Sequence, residues 1–74
     1  MKSILIIGMG MLGEQLAMKM QELGNDVMIV DDDEDRIQEL SSRFNNSFAG
    51  DCTNIEVLKS LGVNNYDYCF VAIG

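Results

Sequence analysis

A glycine-rich turn between a strand-like and a helix-like segment constrains this chain more than any other feature. This glycine turn (residues 8–13) reads Gly8-Met9-Gly10-Met11-Leu12-Gly13, follows an apolar run and opens a segment of helical periodicity. In such a unit the first glycine permits the tight turn, the second lets a pyrophosphate approach the backbone, and the third lets the helix pack closely on the strand. The free amides at the helix start then face the anion. The alternative is an ordinary α/β turn that binds nothing, because three glycines reach this spacing by chance in many chains.

An aspartate follows the turn at the distance expected of a ribose acceptor in a dinucleotide-binding fold. Asp31 comes directly after the apolar residues 27–30 and 18 residues after Gly13, close to the spacing of about 20 in such folds. A carboxylate there accepts hydrogen bonds from the adenosine ribose and disfavours a 2′-phosphate, with Arg36 as the one cation nearby. Residues 33–35 instead fit the solvated, acidic start of a helix, and Asp32 fits both interpretations.

Each predicted helix has an apolar face and a recognisable end. The first has Gly13 and Ala17 on the side nearest the strand and four apolar residues at helical spacing: Leu12, Leu16, Met20 and Leu23. The second has one apolar face: Ile37, Leu40 and Phe44. The third is predicted over residues 54–61, with Thr53 and Glu56 forming a capping box at its start. Gly24 and Gly62 end the first and third helices.

The strand-like segments alternate with these helices. They are residues 2–7, 27–30, 47–49 and 68–73, and the last reads as a buried strand. The order β-α-β-α-β-α-β predicts a Rossmann-like α/β fold with a parallel sheet of strand order 3-2-1-4. Ligands of this fold bind at the carboxyl ends of the strands, here called the ligand edge. We expect four strand ends to converge there: the glycine turn, Asp31, Gly50-Asp51 and residues 72–74.

Length and composition limit the classes of partner. The 74 residues form at most one small domain, residues 1–74, which should gain stability from a ligand or a partner chain. The net charge of −7 argues against nucleic acid and anionic membrane surfaces, so backbone amides would have to hold any phosphate.

We expect no signal peptide and no membrane insertion. Cys52 and Cys69 lack metal-ligand spacing and are expected to be free thiols of a cytoplasmic protein, with no metal site.

Several segments together resemble one protein family. They are residues 6–13, Val30-Asp31 with the acidic helix start, Gly50-Asp51-Cys52-Thr53-Asn54 with Val57-Leu58, residues 61–63 and residues 71–74. The combination resembles the RCK or TrkA-N domains, which are the regulatory nucleotide-binding domains of potassium channels and transporters. The resemblance spans the whole chain, and its Gly-Asp-x-Thr element is more specific than the glycine turn alone.

The resemblance implies a ligand and a role. Family members bind NAD(H), ATP, ADP or AMP, and the bound nucleotide biases a ring or dimer that opens or closes a membrane pore. The glycine turn would then hold the phosphates, Asp31 the ribose, and residues 51–53 the adenine. The complete set of candidate binding residues is Gly8, Met9, Gly10, Met11, Leu12, Gly13, Asp31, Asp32, Asp51, Cys52, Thr53, Ala72, Ile73 and Gly74. Some ATP-responsive members carry an arginine where this chain has Met11, which favours NAD(H), or a nucleotide with fewer phosphates such as AMP or ADP, over ATP.

The resemblance also implies that the chain matches the N-terminal half of a complete domain, which has two further strands with helices. We expect the apolar last strand to lie at a sheet edge and the chain to form a homo-oligomer, either through that strand or through the adjoining face that a following helix would cover. The potassium transporter or channel subunit would hold this module at the inner face of the membrane. We expect no catalytic residue, because no histidine or lysine falls on the ligand edge. The alternatives are the cofactor-binding half of an NAD-dependent dehydrogenase and a structural module that binds no nucleotide.

Overall fold

A computed structural model describes residues 1–72 and consists of alternating strands and helices. The strands are β1 (Ser3–Ile7), β2 (Asp26–Asp31), β3 (Asn46–Ala49) and β4 (Tyr68–Val71). The α-helices are α1 (Met11–Glu22), α2 (Glu34–Leu40) and α3 (Ile55–Ser60). Short 3-10 turns follow the last two helices, at Ser41–Arg43 and Val63–Asn65. The predicted alternation of strand and helix is confirmed.

The strands of residues 1–72 form one parallel sheet in the order β3-β2-β1-β4. The predicted Rossmann-like fold and its 3-2-1-4 strand order are therefore confirmed. Strand β1 lies between β2 and β4, and Ile7 pairs with Val30 on one side and with Val71 on the other. Because all pairs are parallel, the carboxyl ends of the strands meet at the ligand edge. The central position of β1 explains its apolar sequence, since both of its faces are covered.

Apolar side chains cover both faces of the sheet. Because side chains alternate along a strand, Ile4 and Ile6 of β1 join one cluster, and Leu5 and Ile7 join another. The first cluster includes residues of α1, α2 and the segment after α2: Ala17, Ile37, Leu40 and Phe44. The second includes half-buried residues of α3 and the segment that follows it: Leu58, Leu61, Val63 and Tyr66. The predicted apolar face of the second helix is confirmed, although α2 itself ends at Leu40.

Helix α1 contacts the sheet through small residues. Gly13 and Ala17 are its buried residues, whereas Leu12 and Leu23 are 67% and 63% exposed. The predicted placement of Gly13 and Ala17 nearest the strand is therefore confirmed, and of the four apolar positions only Leu16 and Met20 pack against the core of residues 1–72. A Cβ atom on Gly13 would lie 1.7 Å from the Gly8 carbonyl oxygen, so the helix approaches the turn through Gly13. This approach turns Leu12 away by about 100°, and Leu23 lies beyond the last residue of α1.

The start of α3 differs from the prediction. Asn54 is its N-cap, and the Asn54 Oδ1 atom accepts a hydrogen bond from the amide of Glu56 at 2.9 Å. Thr53 instead donates both its hydroxyl and its amide to Asp51. The capping box on Thr53 is therefore wrong, because Asp51 already engages the threonine. At the other end of the helix, Gly62 has a φ of 71° and ends the helix as predicted.

Strand β4 is more exposed than its apolar sequence suggests. All of its residues are exposed, with Phe70 at 36% and Val71 at 69%. The prediction of a buried strand is wrong for Tyr68–Val71, because β1 is the one strand of residues 1–72 that pairs with it. Its position at the sheet edge is confirmed. Ile73, the last residue of the predicted strand, lies outside the described residues.

We predict that Gly13→Ala will lower the free energy of unfolding by at least about 1–3 kcal/mol. The added Cβ would overlap a backbone carbonyl, which cannot move aside as a flexible side chain can. Gly10→Ala is the matched control, because a Cβ there meets no heavy atom of residues 1–72 within 4 Å, and it should change stability by less than about 1 kcal/mol. Urea denaturation measures both, and equal midpoints would contradict the close contact at Gly13.

Candidate functional site

The glycine turn joins β1 to α1 in a conformation that depends on its first glycine. Gly8 has a φ of 102°, which L side chains rarely adopt, and its amide donates to the Val30 carbonyl at 2.7 Å. Gly10 is the N-cap of α1, and no side chain of residues 1–72 caps this helix end. A Cβ on Gly10 would point into open space. The start of α1 is therefore uncapped by side chains and open at Gly10, as anion binding at a helix start requires.

Asp31 ends β2, and two backbone amides hold its carboxylate. The Oδ2 atom accepts from the amide of Met9 at 2.6 Å, and the Oδ1 atom accepts from the amide of Asp33 at 2.9 Å. Partial burial raises the pKa of Asp31, but the hydrogen bonds from Met9 and Asp33 outweigh it and leave the pKa lowered. The carboxylate is therefore ionised at neutral pH. A carboxylate offers about four acceptor positions. Two backbone amides occupy only part of them, so Asp31 can still accept hydrogen bonds from the hydroxyls of a diol.

Further polar groups lie at the same ligand edge. The hydrogen bond and the charge of Asp31 raise the pKa of Asp32, whereas the hydroxyl and amide of Thr53 lower the pKa of Asp51. Burial, followed by the charge of Asp51, raises the pKa of the Cys52 thiol. The edge thus combines carboxylates with a protonated thiol. Phosphates could approach it only where backbone amides offset this negative charge.

A cavity of about 420 Å³ opens at the ligand edge. Its lining brings together backbone, carboxylate and apolar groups from the strand ends, the segments that follow them and helix α3: Ile7, Gly8, Gly10, Asp31, Asp32, Gly50, Asp51, Cys52, Thr53, Leu58, Val71 and Ala72. The volume falls within the range of about 300–1,000 Å³ that is usual for small-molecule sites. Gly8 and Gly10 of the glycine turn line this cavity together with Asp31.

Four candidate binding residues of the glycine turn lie outside this cavity. Met9 is 1% exposed with its side chain in the core, Met11 and Leu12 are 77% and 67% exposed, and Gly13 packs against Gly8. These four residues shape the turn or flank it, and they do not line the cavity of residues 1–72. Ile73 and Gly74 lie outside the described residues.

Several residues of this site were not among the candidate binding residues. Ile7 and Val71 end their strands at the ligand edge and line the cavity. Their positions at the strand ends could have identified them from the sequence. Leu58 lies on α3 and reaches the cavity from that helix. The sequence placed Leu58 in a predicted helix and gave it no binding role. Gly50 also lines the cavity, and its amide donates to the Asp31 carbonyl at 2.9 Å. Arg36 donates to the Met9 carbonyl at 2.9 Å, a contact that no sequence pattern indicates.

Three other features of residues 1–72 bear on their chemistry and surroundings. Cys52 and Cys69 are free thiols, as predicted. Within these residues, no three His, Cys, Asp or Glu side chains are grouped to hold a metal ion. None of the helices in this range is both long and apolar enough to cross a membrane.

Comparison with known proteins links the chain to one family. The family model of the TrkA-N domain matches residues 4–74. The Ktr system potassium uptake protein C of Bacillus subtilis (strain 168) is 38% identical over 73 residues, which are 99% of this chain and 33% of that protein. The Ktr system potassium uptake protein A is 32% identical in Vibrio alginolyticus and 30% identical in Bacillus subtilis (strain 168), with the same coverage. The chain thus spans about a third of the length of these relatives.

We predict that Asp31→Asn will lower the free energy of unfolding by about 1–3 kcal/mol, because one of two backbone amides would lose its acceptor and face an NH₂ group. Asp32→Asn is the control of equal size and charge change. It should leave stability unchanged or raise it, since it removes a like charge beside Asp31. Thermal unfolding at neutral pH compares the two variants, and equal losses would contradict the structural role of Asp31.

Proposed function

Because the chain belongs to the TrkA-N domain family, we propose that it is a regulatory nucleotide-binding module of a potassium uptake or channel system. Its similarity to Ktr system potassium uptake proteins supports the transport context. In this proposal residues 1–74 form the N-terminal half of one nucleotide-binding domain. The regulated partner is a membrane subunit that holds the module at the cytoplasmic face.

The observation that carries the nucleotide proposal is the meeting of the glycine turn and Asp31 at one cavity. An adenosine ribose would donate its hydroxyls to Asp31, and the attached phosphates would lie over the backbone of Gly8 and Gly10. The adenine would extend toward Asp51, Cys52 and Thr53. Backbone amides and the N-terminal end of α1 would supply the positive potential, which suits a chain whose net charge is −7.

We propose NAD(H) as the preferred ligand, with AMP, ADP and ATP as the alternatives. A 2′-phosphate is disfavoured because Asp31 is ionised and Asp51 lines the same cavity with a lowered pKa. A terminal triphosphate would need a cation near the helix start, and Met11 supplies none there. These arguments favour a nucleotide with a free ribose diol and few phosphates.

A regulatory role is favoured over the dehydrogenase alternative. Hydride transfer requires a general acid or base near the nicotinamide, and the chain contains no histidine. The titratable groups that line the cavity of residues 1–72 are carboxylates and the Cys52 thiol, whose pKa is raised. We therefore propose that nucleotide binding changes the conformation or assembly of the module and that no reaction takes place in it.

We also propose that the module forms a homo-oligomer through β4 or the adjoining face. Strand β4 has one paired side in residues 1–72, and an unpaired strand side is a template for another chain. The rings of Tyr68 and Phe70 stack with centroids 6.4 Å apart and remain exposed. Burial of these rings between copies would stabilise the assembly.

Calorimetric titration should detect binding of NAD⁺ or NADH to the wild-type chain and a much weaker affinity for NADP⁺. Saturation to a hundredfold excess over Kd should stabilise the fold by about 2.7 kcal/mol. Gly10→Ala should abolish most of the affinity while leaving the fold intact, because the new Cβ would occupy the space of the phosphates. No binding of NAD⁺, NADH, ATP, ADP or AMP would overturn the proposal, and equal affinity for NADP⁺ would contradict the role of Asp31.

Sedimentation velocity at micromolar concentration should give a species larger than the 8.2 kDa chain. Phe70→Lys should shift it toward the monomer, because a charge on β4 opposes strand pairing between copies. Lys59→Glu on α3 serves as a charge-changing control away from β4. A folded, monodisperse wild-type monomer would contradict the homo-oligomer.

A further inference from the structure

Arg36 connects helix α2 to the glycine turn and to helix α1. Its Nε atom donates to the Met9 carbonyl at 2.9 Å, and its Nη2 atom donates to the Glu14 carboxylate at 2.7 Å. The Arg36 and Glu14 side chains are 28% and 23% exposed, so both are largely covered. A single guanidinium therefore joins three elements around the start of α1.

Met9 is held at both of its backbone polar groups. Its amide donates to Asp31 and its carbonyl accepts from Arg36. Its side chain is buried in the core at 1% exposure. Met9 lies between Gly8 and Gly10, which both line the cavity. The backbone that faces the cavity is thus fixed through the residue between the two glycines.

The positive charge of Arg36 is already matched within the protein. Glu14 accepts from its Nη2 atom, and Glu39 accepts from its Nη1 atom at 3.3 Å. Arg36 also does not line the cavity formed by residues 1–72. A guanidinium so arranged acts on a ligand through the backbone it holds.

We propose that Arg36 is a positioning residue of the nucleotide site, which fixes the Met9 carbonyl so that the amides of the glycine turn are preset for phosphates. This inference rests on the proposed nucleotide-binding function and deepens it. A turn that is ordered before binding loses less conformational freedom when the ligand arrives. Nucleotide affinity therefore depends on a side chain that does not touch the nucleotide.

The test compares Arg36→Gln with Arg43→Gln. Arg43 also pairs with Glu14, at 3.4 Å, but it is 57% exposed and belongs to the 3-10 turn after α2. Both variants remove one positive charge beside the same carboxylate, and only the first removes the donor to Met9. Amide hydrogen exchange without nucleotide and titration with NADH are measured on each.

Arg36→Gln should speed exchange of the Met9 amide, which donates to Asp31, and raise the Kd for NADH about tenfold, whereas Arg43→Gln should match the wild type. Arg36→Lys, which keeps a charged donor for the Met9 carbonyl, should recover part of the affinity. Unchanged exchange at Met9 in Arg36→Gln, or equal effects of both Gln variants, would overturn this inference alone. Absence of NADH binding to the wild type, with exchange altered as expected, would instead overturn NADH binding and leave the turn-positioning role of Arg36 supported.

Discussion

The hydrogen bond from the Met9 amide to the Asp31 carboxylate is the interaction on which the rest of the site depends. It joins residues that are 22 positions apart in the chain at a distance of 2.6 Å. Parallel pairing of Ile7 with Val30 places the glycine turn beside the end of β2, and the amide of Gly8 extends that pairing to the Val30 carbonyl. Sheet register therefore sets the geometry of the site, and the side chain of Asp31 fixes the glycine turn within it.

The parts of the fold that follow from local rules could be predicted from the sequence. Three features depend only on residues that are close in sequence: the apolar run of β1, the glycine turn, and Asp31 at the end of β2. The apolar face formed by Ile37, Leu40 and Phe44 follows from helical periodicity in the same way. Strand order then follows because right-handed crossovers leave few alternatives.

The remaining features depend on contacts between elements or on competition between neighbours. Leu12 fits an apolar stripe by spacing, yet the close approach at Gly13 rotates it into solvent. Thr53 fits a capping box, yet its hydroxyl donates a hydrogen bond to Asp51 instead, and Asn54 caps the helix. Arg36 has no sequence signal for its contact with Met9, since the two residues meet only when α2 folds back beside the turn.

The carboxylates at the ligand edge have a consequence for the kinetics of encounter. Asp31 and Asp51 are held ionised at neutral pH by their hydrogen bonds and line the cavity together with Asp32. An anionic nucleotide would therefore approach through a repulsive field and meet the attractive amides of the glycine turn only at short range. Dissolved ions screen such long-range repulsion with a Debye length of about 8 Å at physiological ionic strength. Association would accordingly become faster as ionic strength rises, which ties the speed of capture to the surrounding salt concentration.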